Sequence, residues 1–222
     1  MSAPIFDRLA AAFGPAVTRT DRDAPLVAPT SAEAVAEVLG MANDNGWRVR
    51  IEGRATWMPT DAPADLAVTT AALDTLVSVS PPDLVATAQA GIPLHRLATH
   101  LADHRTRLAI DPPGAPGRSL GSILATATTG PAQHRYGPIR DHVLGLTVAT
   151  GDGRLVRAGG AVVKNVAGFD LAKVAIGGFG AFGIITEINI RLRSLPAARQ
   201  ILTAQGGIDE LFHAGGALVT RD

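Results

Sequence analysis

The sequence predicts a mixed fold of the α+β class, and three observations carry that expectation. Segments with helical spacing of apolar residues are separated by short runs rich in β-branched residues. Between Leu66 and Ala90, and again between Val143 and Ala158, such runs are joined by tight turns marked by Pro or Gly. Apolar residues make up 46% of the 222 positions and charged residues 18%, enough to enclose a core and too apolar for a disordered chain. This length suits one or two domains.

The elements follow in order. Ile5, Leu9 and Phe13 recur every four residues, a short amphipathic helix stopped by Gly14-Pro15. Leu26-Val27 reads as a short strand. Thr30-Ser31-Ala32-Glu33 has a hydroxyl followed by a carboxylate, as at a helix N-terminus, and Val35, Val38, Leu39 and Ala42 share the face that follows. Asn45-Gly46 ends that helix, Trp47 to Ile51 forms a strand, and Glu52 to Pro63 a loop at its carboxyl end, where open α/β sheets bind ligands. Strands are then expected over Leu66 to Thr69, Thr75 to Ser80 and Leu84 to Ala88, with Pro81-Pro82-Asp83 turning between the last two. Pro93 to Ala102 carries helical spacing; Asp111 to Gly117 is too rich in Pro and Gly for anything but a shaped loop. Ser119 to Thr129 begins a helix of small residues. Val143 to Thr150 and Leu155 to Ala158 flank Gly151-Asp152-Gly153 as a hairpin, and Ala181 to Leu192 forms a long final strand. The expected organisation is a helical segment at 1–24, one domain at 25–196, and a tail at 197–222 too short for a domain.

Composition excludes several classes of function. Lys and Arg total 20, as do Asp and Glu, which argues against nucleic acid as a partner. No run of apolar residues is long enough to span a bilayer, and the first residues lack a secretory signal, so a soluble, cytoplasmic protein is expected. With no cysteine, the chain has no thiolate nucleophile and no cysteine-held cluster or flavin tether. His95, His100, His104, His134, His142 and His213 form no metal-binding spacing with carboxylates. Ser122 lies in no nucleophile elbow.

The chemistry-bearing stretch is Gly114 to Gly130, GAPGRSLGSILATATTG, whose small residues let a flat ligand approach the backbone. If Ser119 caps a helix, the amides there favour an anionic phosphate; the competing reading is a tight helix crossing. Then come RYGPIRDHVLG from Arg135, VKNVAGFDL from Val163, and GGFGAFGIITE from Gly177. Taken in this order the segments resemble the FAD-binding domain of the vanillyl-alcohol oxidase / para-cresol methylhydroxylase flavoprotein family, most of all the FAD-binding subunits of glycolate oxidases. The resemblance covers roughly residues 25 to 195.

The resemblance implies a two-subdomain FAD-binding fold of the para-cresol methylhydroxylase type, without a full C-terminal substrate (cap) domain. It implies a pyrophosphate loop at Gly53, Arg54, Ala55, Thr56 and Trp57. It implies a second flavin-contacting surface at Ser119, Gly121, Ser122, Thr126, Thr129 and Gly130, and a strand backbone at Gly183, Ile184, Ile185 and Thr186 beside the cofactor. The signature from Lys164 to Asp170 reads mainly as structural, and Tyr136 serves as a flavin-edge contact or in packing. Arg140-Asp141 reads as a local ion pair. With no histidine between Glu52 and Pro63 and no cysteine, the FAD should be non-covalent.

One departure stands out. The family has consecutive glycines in the first loop, whereas Arg54 and Ala55 follow Gly53 here; a side chain in left-handed backbone costs about 1–2 kcal/mol. Arg54 either pairs with a phosphate, swings to solvent or blocks the site. No catalytic residue is assignable. The implied function is an FAD-binding subunit of a glycolate oxidase-like complex, in which a small 2-hydroxy acid is oxidised and electrons leave through partners: a second flavin subunit and an iron–sulfur subunit. Such partners could hold the chain peripherally at the inner face of the membrane. The rival is a degenerate flavin fold with a structural or assembly role. A nicotinamide-type dinucleotide motif is not present after the first strands.

Overall fold

The computed structural model describes residues 4–20, 24–57, 62–160, 174–198 and 207. The signature from Lys164, and most of the tail expected after Pro196, lie outside the described residues, as do residues 58–61 of the expected first loop.

The chain forms α1 (Ile5–Phe13), β1 (Val17–Thr18), β2 (Leu26–Val27), α2 (Ala32–Asp44), β3 (Val49–Glu52) and β4 (Leu66–Thr69). Then follow β5 (Leu76–Ser80), β6 (Val85–Gln89), α3 (Leu94–Asp103), β7 (Thr106–Arg107), α4 (Leu120–Ala125) and α5 (Gln133–Tyr136). The hairpin β8 (Val143–Ala149) and β9 (Leu155–Gly159), then β10 (Ile184–Arg191) and β11 (Arg193–Ser194), complete the described elements.

Two sheets divide these strands. The smaller has the order β1-β2-β4-β3, with β2 and β3 both parallel to β4. Parallel neighbours need a crossover, and α2 supplies it between β2 and β3. Ser31 caps α2, its hydroxyl accepting from the Ala34 amide at 3.1 Å, and Val35, Val38, Leu39 and Ala42 are buried below it. The larger sheet has the order β5-β6-β10-β8-β9, antiparallel throughout. Its core is Ala- and Ile-rich, drawing on β6, β8 and β10 together with Leu97 and Leu101 of α3 and Leu120, Ile123 and Leu124 of α4. The apolar cluster under α2 also takes in Ala149 of β8 and Ile184 of β10, so the two sheets meet at the ends of those strands.

The expected helices and longer strands are present within one to three residues of their expected bounds, and three differences have local causes. The helix of small residues ends at Ala125 rather than running to Thr129, because Thr126 turns its hydroxyl back on the Ser122 carbonyl and Ala127 adopts φ 47°. The last strand begins at Ile184, since residues 177–183 form a turn rather than strand. Arg140 and Asp141 make no ion pair with each other; among the described residues the carboxylate of Asp141 lies instead against Gly137. The two-residue strands β1, β7 and β11 carry no periodicity and were not expected.

His142, at the entry to β8, is buried, and its Nε2 has no hydrogen-bond partner among the described residues. Burial holds its imidazole below the ordinary value, helped by Arg193 and Arg191 and opposed by the Gly137 backbone and Asp141. The folded protein therefore resists a proton that the unfolded chain accepts near pH 6.5. Thermal stability should be complete above that pH and should fall as the pH drops below it toward the depressed value. Melting curves between pH 7 and pH 5 check this, and His142→Leu should flatten that part of the profile.

Candidate functional site

The strand β3 delivers Glu52, and the chain then bends away from the sheet into residues 53–57. The near end of this loop is tied down: the Thr69 hydroxyl donates to the Gly53 carbonyl at 2.6 Å, and the Thr70 amide to the Glu52 carbonyl at 3.0 Å. Gly53 is needed for close approach rather than for its dihedral. A Cβ there would stand 2.7 Å from Ser119 Oγ and 3.3 Å from Ser122 Cβ, both buried or half-buried against the loop. Ala55 takes φ 52°, the left-handed backbone that a glycine would adopt without cost. Among the described residues, none takes a hydrogen bond from the amides of residues 53–57.

The Arg54 guanidinium neither swings into solvent nor reaches across as a free fork. Its Nη1 donates to the carbonyls of Ala71 at 3.0 Å and Gly91 at 3.4 Å, staking the loop to the turns beside β4 and β6.

Facing the loop is α4. Gly121 permits it to lie on the end of β6, since a Cβ would stand 2.8 Å from the Ala90 Cβ and 2.9 Å from its carbonyl oxygen. The helix has six residues, and Ser119 is its N-cap as the sequence suggests. Its first amides, however, are already engaged: Leu120 donates to the Ile92 carbonyl at 3.0 Å, Gly121 to the Ala90 carbonyl at 2.7 Å, and Ser122 to Ser119 Oγ at 3.4 Å. The expectation that these amides receive a phosphate is therefore corrected; they are engaged in attaching α4 to the sheet.

The third wall is the turn before β10. Its Gly177 and Phe179 amides donate to the Leu124 and Ala125 carbonyls, capping α4 from outside. Phe179 holds φ 51°, so two of the non-glycine residues in left-handed backbone stand on this site.

Together the three walls enclose a cleft of about 860 Å³ including its open mouth. Of the expected site residues, Gly53, Arg54, Ala55, Thr56, Trp57, Gly121, Ser122, Thr126, Gly183, Ile184 and Ile185 line it. Ser119, Thr129, Gly130 and Thr186 do not. Ser119 is fully buried under α4 as its cap. The Thr129 hydroxyl donates to Gln133, and Gly130 packs on Asp111. The Thr186 hydroxyl donates to the Thr147 carbonyl between β10 and β8, because its side chain points into the core rather than toward the cleft. Tyr136 is likewise elsewhere, its ring set among Arg107, Arg135 and Arg193.

Sequence reasoning missed Ile51, Glu52, Thr70, Ala125, Ala175, Phe179 and Gly180, which also line the cleft. Two of them, Phe179 and Gly180, lie in the run GGFGAFG, of which only the end at Gly183 is an expected site residue. Ile51, Trp57 and Phe179 form an exposed apolar rim, Phe179 being 63% exposed. Glu52 is the carboxylate of the cleft; it is buried and pairs with Arg50 Nε at 2.8 Å. Among the described residues the cleft thus offers a loop of unengaged amides, small residues for a flat group, an apolar rim, and one carboxylate that is already paired. Among the described residues no cluster suited to a metal ion occurs, and no helix is long and apolar enough to cross a membrane.

Comparison with known proteins agrees with this geometry. The family model described as the FAD binding domain matches residues 24–159. Glycolate oxidase subunit GlcE of Escherichia coli is 35% identical over 136 residues, which are 61% of this chain and 39% of that protein. A D-lactate dehydrogenase of Archaeoglobus fulgidus is 32% identical over 189 residues, 78% of this chain and 42% of that protein. Among solved structures, alkyldihydroxyacetonephosphate synthase superposes with a TM-score of 0.70 at 23% identity, over 81% of this chain and 33% of that one, a likeness of fold. The chain spans well under half the length of these relatives.

Two substitutions test the construction of the cleft. Gly121→Ala should destabilise the protein by roughly 1–3 kcal/mol, because the Cβ and carbonyl of Ala90, just past β6, block the added methyl. Ala55→Gly should do the opposite, by up to about 1 kcal/mol, or some 2–4 °C in Tm, as relief of left-handed strain outweighs the added chain entropy. Thermal denaturation of the two variants beside the parent chain checks both signs.

Proposed function

Because the chain belongs to the FAD-binding domain family, we propose that it is the FAD-binding subunit of a complex that oxidises a small 2-hydroxy acid to a 2-oxo acid. The residues present fit this cofactor. The unengaged amides of residues 53–57 and the Ser122 hydroxyl supply donors for a diphosphate. The small residues of α4 and the backbone at Gly183, Ile184 and Ile185 leave a flat surface for a ring system, and Ile51 and Phe179 edge it with apolar groups. When bound, FAD supplies hydride acceptance and onward electron transfer. Residues 25–196 would form the cofactor-holding unit.

The observation that supports this reading is the loop of residues 53–57, which lines the cleft and whose amides are unengaged among the described residues. Backbone N–H groups are strong donors, and a stretch of them without partners is matched to an anionic ligand. Non-covalent attachment is supported by the absence of cysteine from the sequence and of histidine from the described lining residues. Among the described lining residues the carboxylate is Glu52, which is paired with Arg50; in this reading the proton of a 2-hydroxy acid is taken by another group. We therefore place this chain beside partners, a second flavin subunit and an iron–sulfur subunit, and at the cytoplasmic face where these partners hold it. The resemblance to a protein named as a glycolate oxidase subunit supports this.

A second reading is favoured by one specific observation. Arg54 donates to protein carbonyls and Ala55 is strained, as in a phosphate loop kept for shape alone. The fold would then serve assembly.

Purification of the full chain, alone and with co-expressed partners, decides between them. The first reading expects a flavin visible spectrum at near one FAD per chain, released intact by heat or acid. A colourless protein in both preparations that becomes flavin-bound only on changing Arg54 and Ala55 to glycine would establish the second reading instead.

A further inference from the structure

Among the described residues Arg118 is the largest fully buried side chain, 1% exposed. Among the described residues no carboxylate pairs with it. Its Nη1 donates to the Pro113 carbonyl at 3.0 Å; Nη2 donates to Thr126 Oγ1 at 2.6 Å, Thr128 Oγ1 at 2.8 Å and the Ser122 carbonyl at 3.4 Å; Nε reaches Ser122 Oγ at 3.4 Å. Its guanidinium carbon stands 4.1 Å over the ring of Trp57. An arginine remains charged at any pH the protein experiences, so this is a buried cation whose counter-charge is not provided by the residues around it.

Two consequences reach the cleft. First, Trp57 ends the loop that begins at Gly53, and its indole is wedged between Arg118 and Gly114. A Cβ at Gly114 would stand 2.8 Å from Trp57 Cε3. Thr69 ties one end of the amide row and Arg118 the other. Second, a guanidinium has donors only, so a hydroxyl that meets it must accept and direct its own proton elsewhere. The Thr126 proton has the Ser122 carbonyl at 2.8 Å. Ser122 Oγ has no acceptor among the described residues, and Ser122 lines the cleft.

We propose that Arg118 is a positioning residue for the anionic part of the cleft's ligand: it fixes Trp57 at the far end of the amide row and leaves the Ser122 proton to be donated to the ligand. This inference rests on the reading of the cleft as a flavin dinucleotide site. It assigns to a buried arginine part of the work that additional loop glycines would do, namely holding donors toward a diphosphate.

The test uses the full chain stripped of ligand, with Arg118→Gln, Arg118→Lys and Trp57→Leu, titrated with FAD and with riboflavin, which has no phosphate. Arg118→Gln should weaken FAD about tenfold or more while changing riboflavin by less than about threefold. Arg118→Lys should recover part of the loss, as charge returns without the planar fork. Trp57→Leu should show a smaller loss, again confined to FAD. Equal weakening of both flavins, or no weakening of either, would overturn the proposal, since a scaffold role cannot distinguish a ligand with phosphates from one without. If Arg118→Gln does not fold, Trp57→Leu decides by the same split. If the parent chain takes neither flavin, the cofactor reading fails separately. Inorganic pyrophosphate then decides the matter: Tm should rise with it in the parent and not in the Arg118 or Trp57 variants, and no rise in the parent overturns the proposal.

Discussion

A helix of six residues cannot hold itself together, and α4 does so here only because other segments complete its hydrogen bonding. The carbonyls of Ala90 and Ile92, beyond the end of β6, take its first amides. The amides of Gly177 and Phe179 take its last carbonyls. Ser119 closes the N-terminal turn from below, and Gly121 lets the helix lie directly on Ala90. Apart from the Ser119 cap, these bonds join segments far apart in sequence, so α4 depends on the larger sheet. Its exposed side becomes a wall against which residues 53–57 and the turn before β10 are set.

From this wall the character of the site follows. The amides of α4 are engaged in attachment, whereas those of the loop after β3 are unengaged among the described residues. That loop is shaped by side chains where bare glycine would otherwise serve: Thr69 and Arg54 near its start, Trp57 on Arg118 at its end. The conformational cost is visible in the left-handed backbone of Ala55 and, across the cleft, of Phe179. Such strain collects where a ligand is held. The cleft supplies donors, flat small-residue surface and an apolar edge, and its carboxylate is neutralised by Arg50. It is built to hold and orient a group whose own chemistry does the work.

Much of this was legible in the residues, for physical reasons that differ by element. In α2 the face Val35, Val38, Leu39, Ala42 and the Ser31 cap are local signals, and both are realised. The first loop is found where a strand–helix–strand unit puts it, and three of the six residues expected from the small-residue segment, Gly121, Ser122 and Thr126, reach the cleft. The partition of strands between the two sheets was not legible. β4 lies in sequence beside β5 and β6, yet it joins the parallel sheet with β2 and β3. The end of α4 was not legible because the Phe179 amide, distant in sequence, takes the Ala125 carbonyl where Ala127 turns the chain aside. In the sequence Arg118 is a lone cation in a small-residue run; its burial arises from the hydroxyls and carbonyls that close around it, which no periodicity announces.

The central claim is that peptide amides of residues 53–57 converge on a diphosphate. Phosphorus-31 resonance spectra of FAD added to the ligand-free chain address it most directly. Both phosphate resonances of the dinucleotide should shift and broaden on binding, and should return to their free positions when excess unlabelled flavin competitor displaces it. Resonances that stay at the free positions at protein concentrations sufficient to bind the flavin ring would contradict the account.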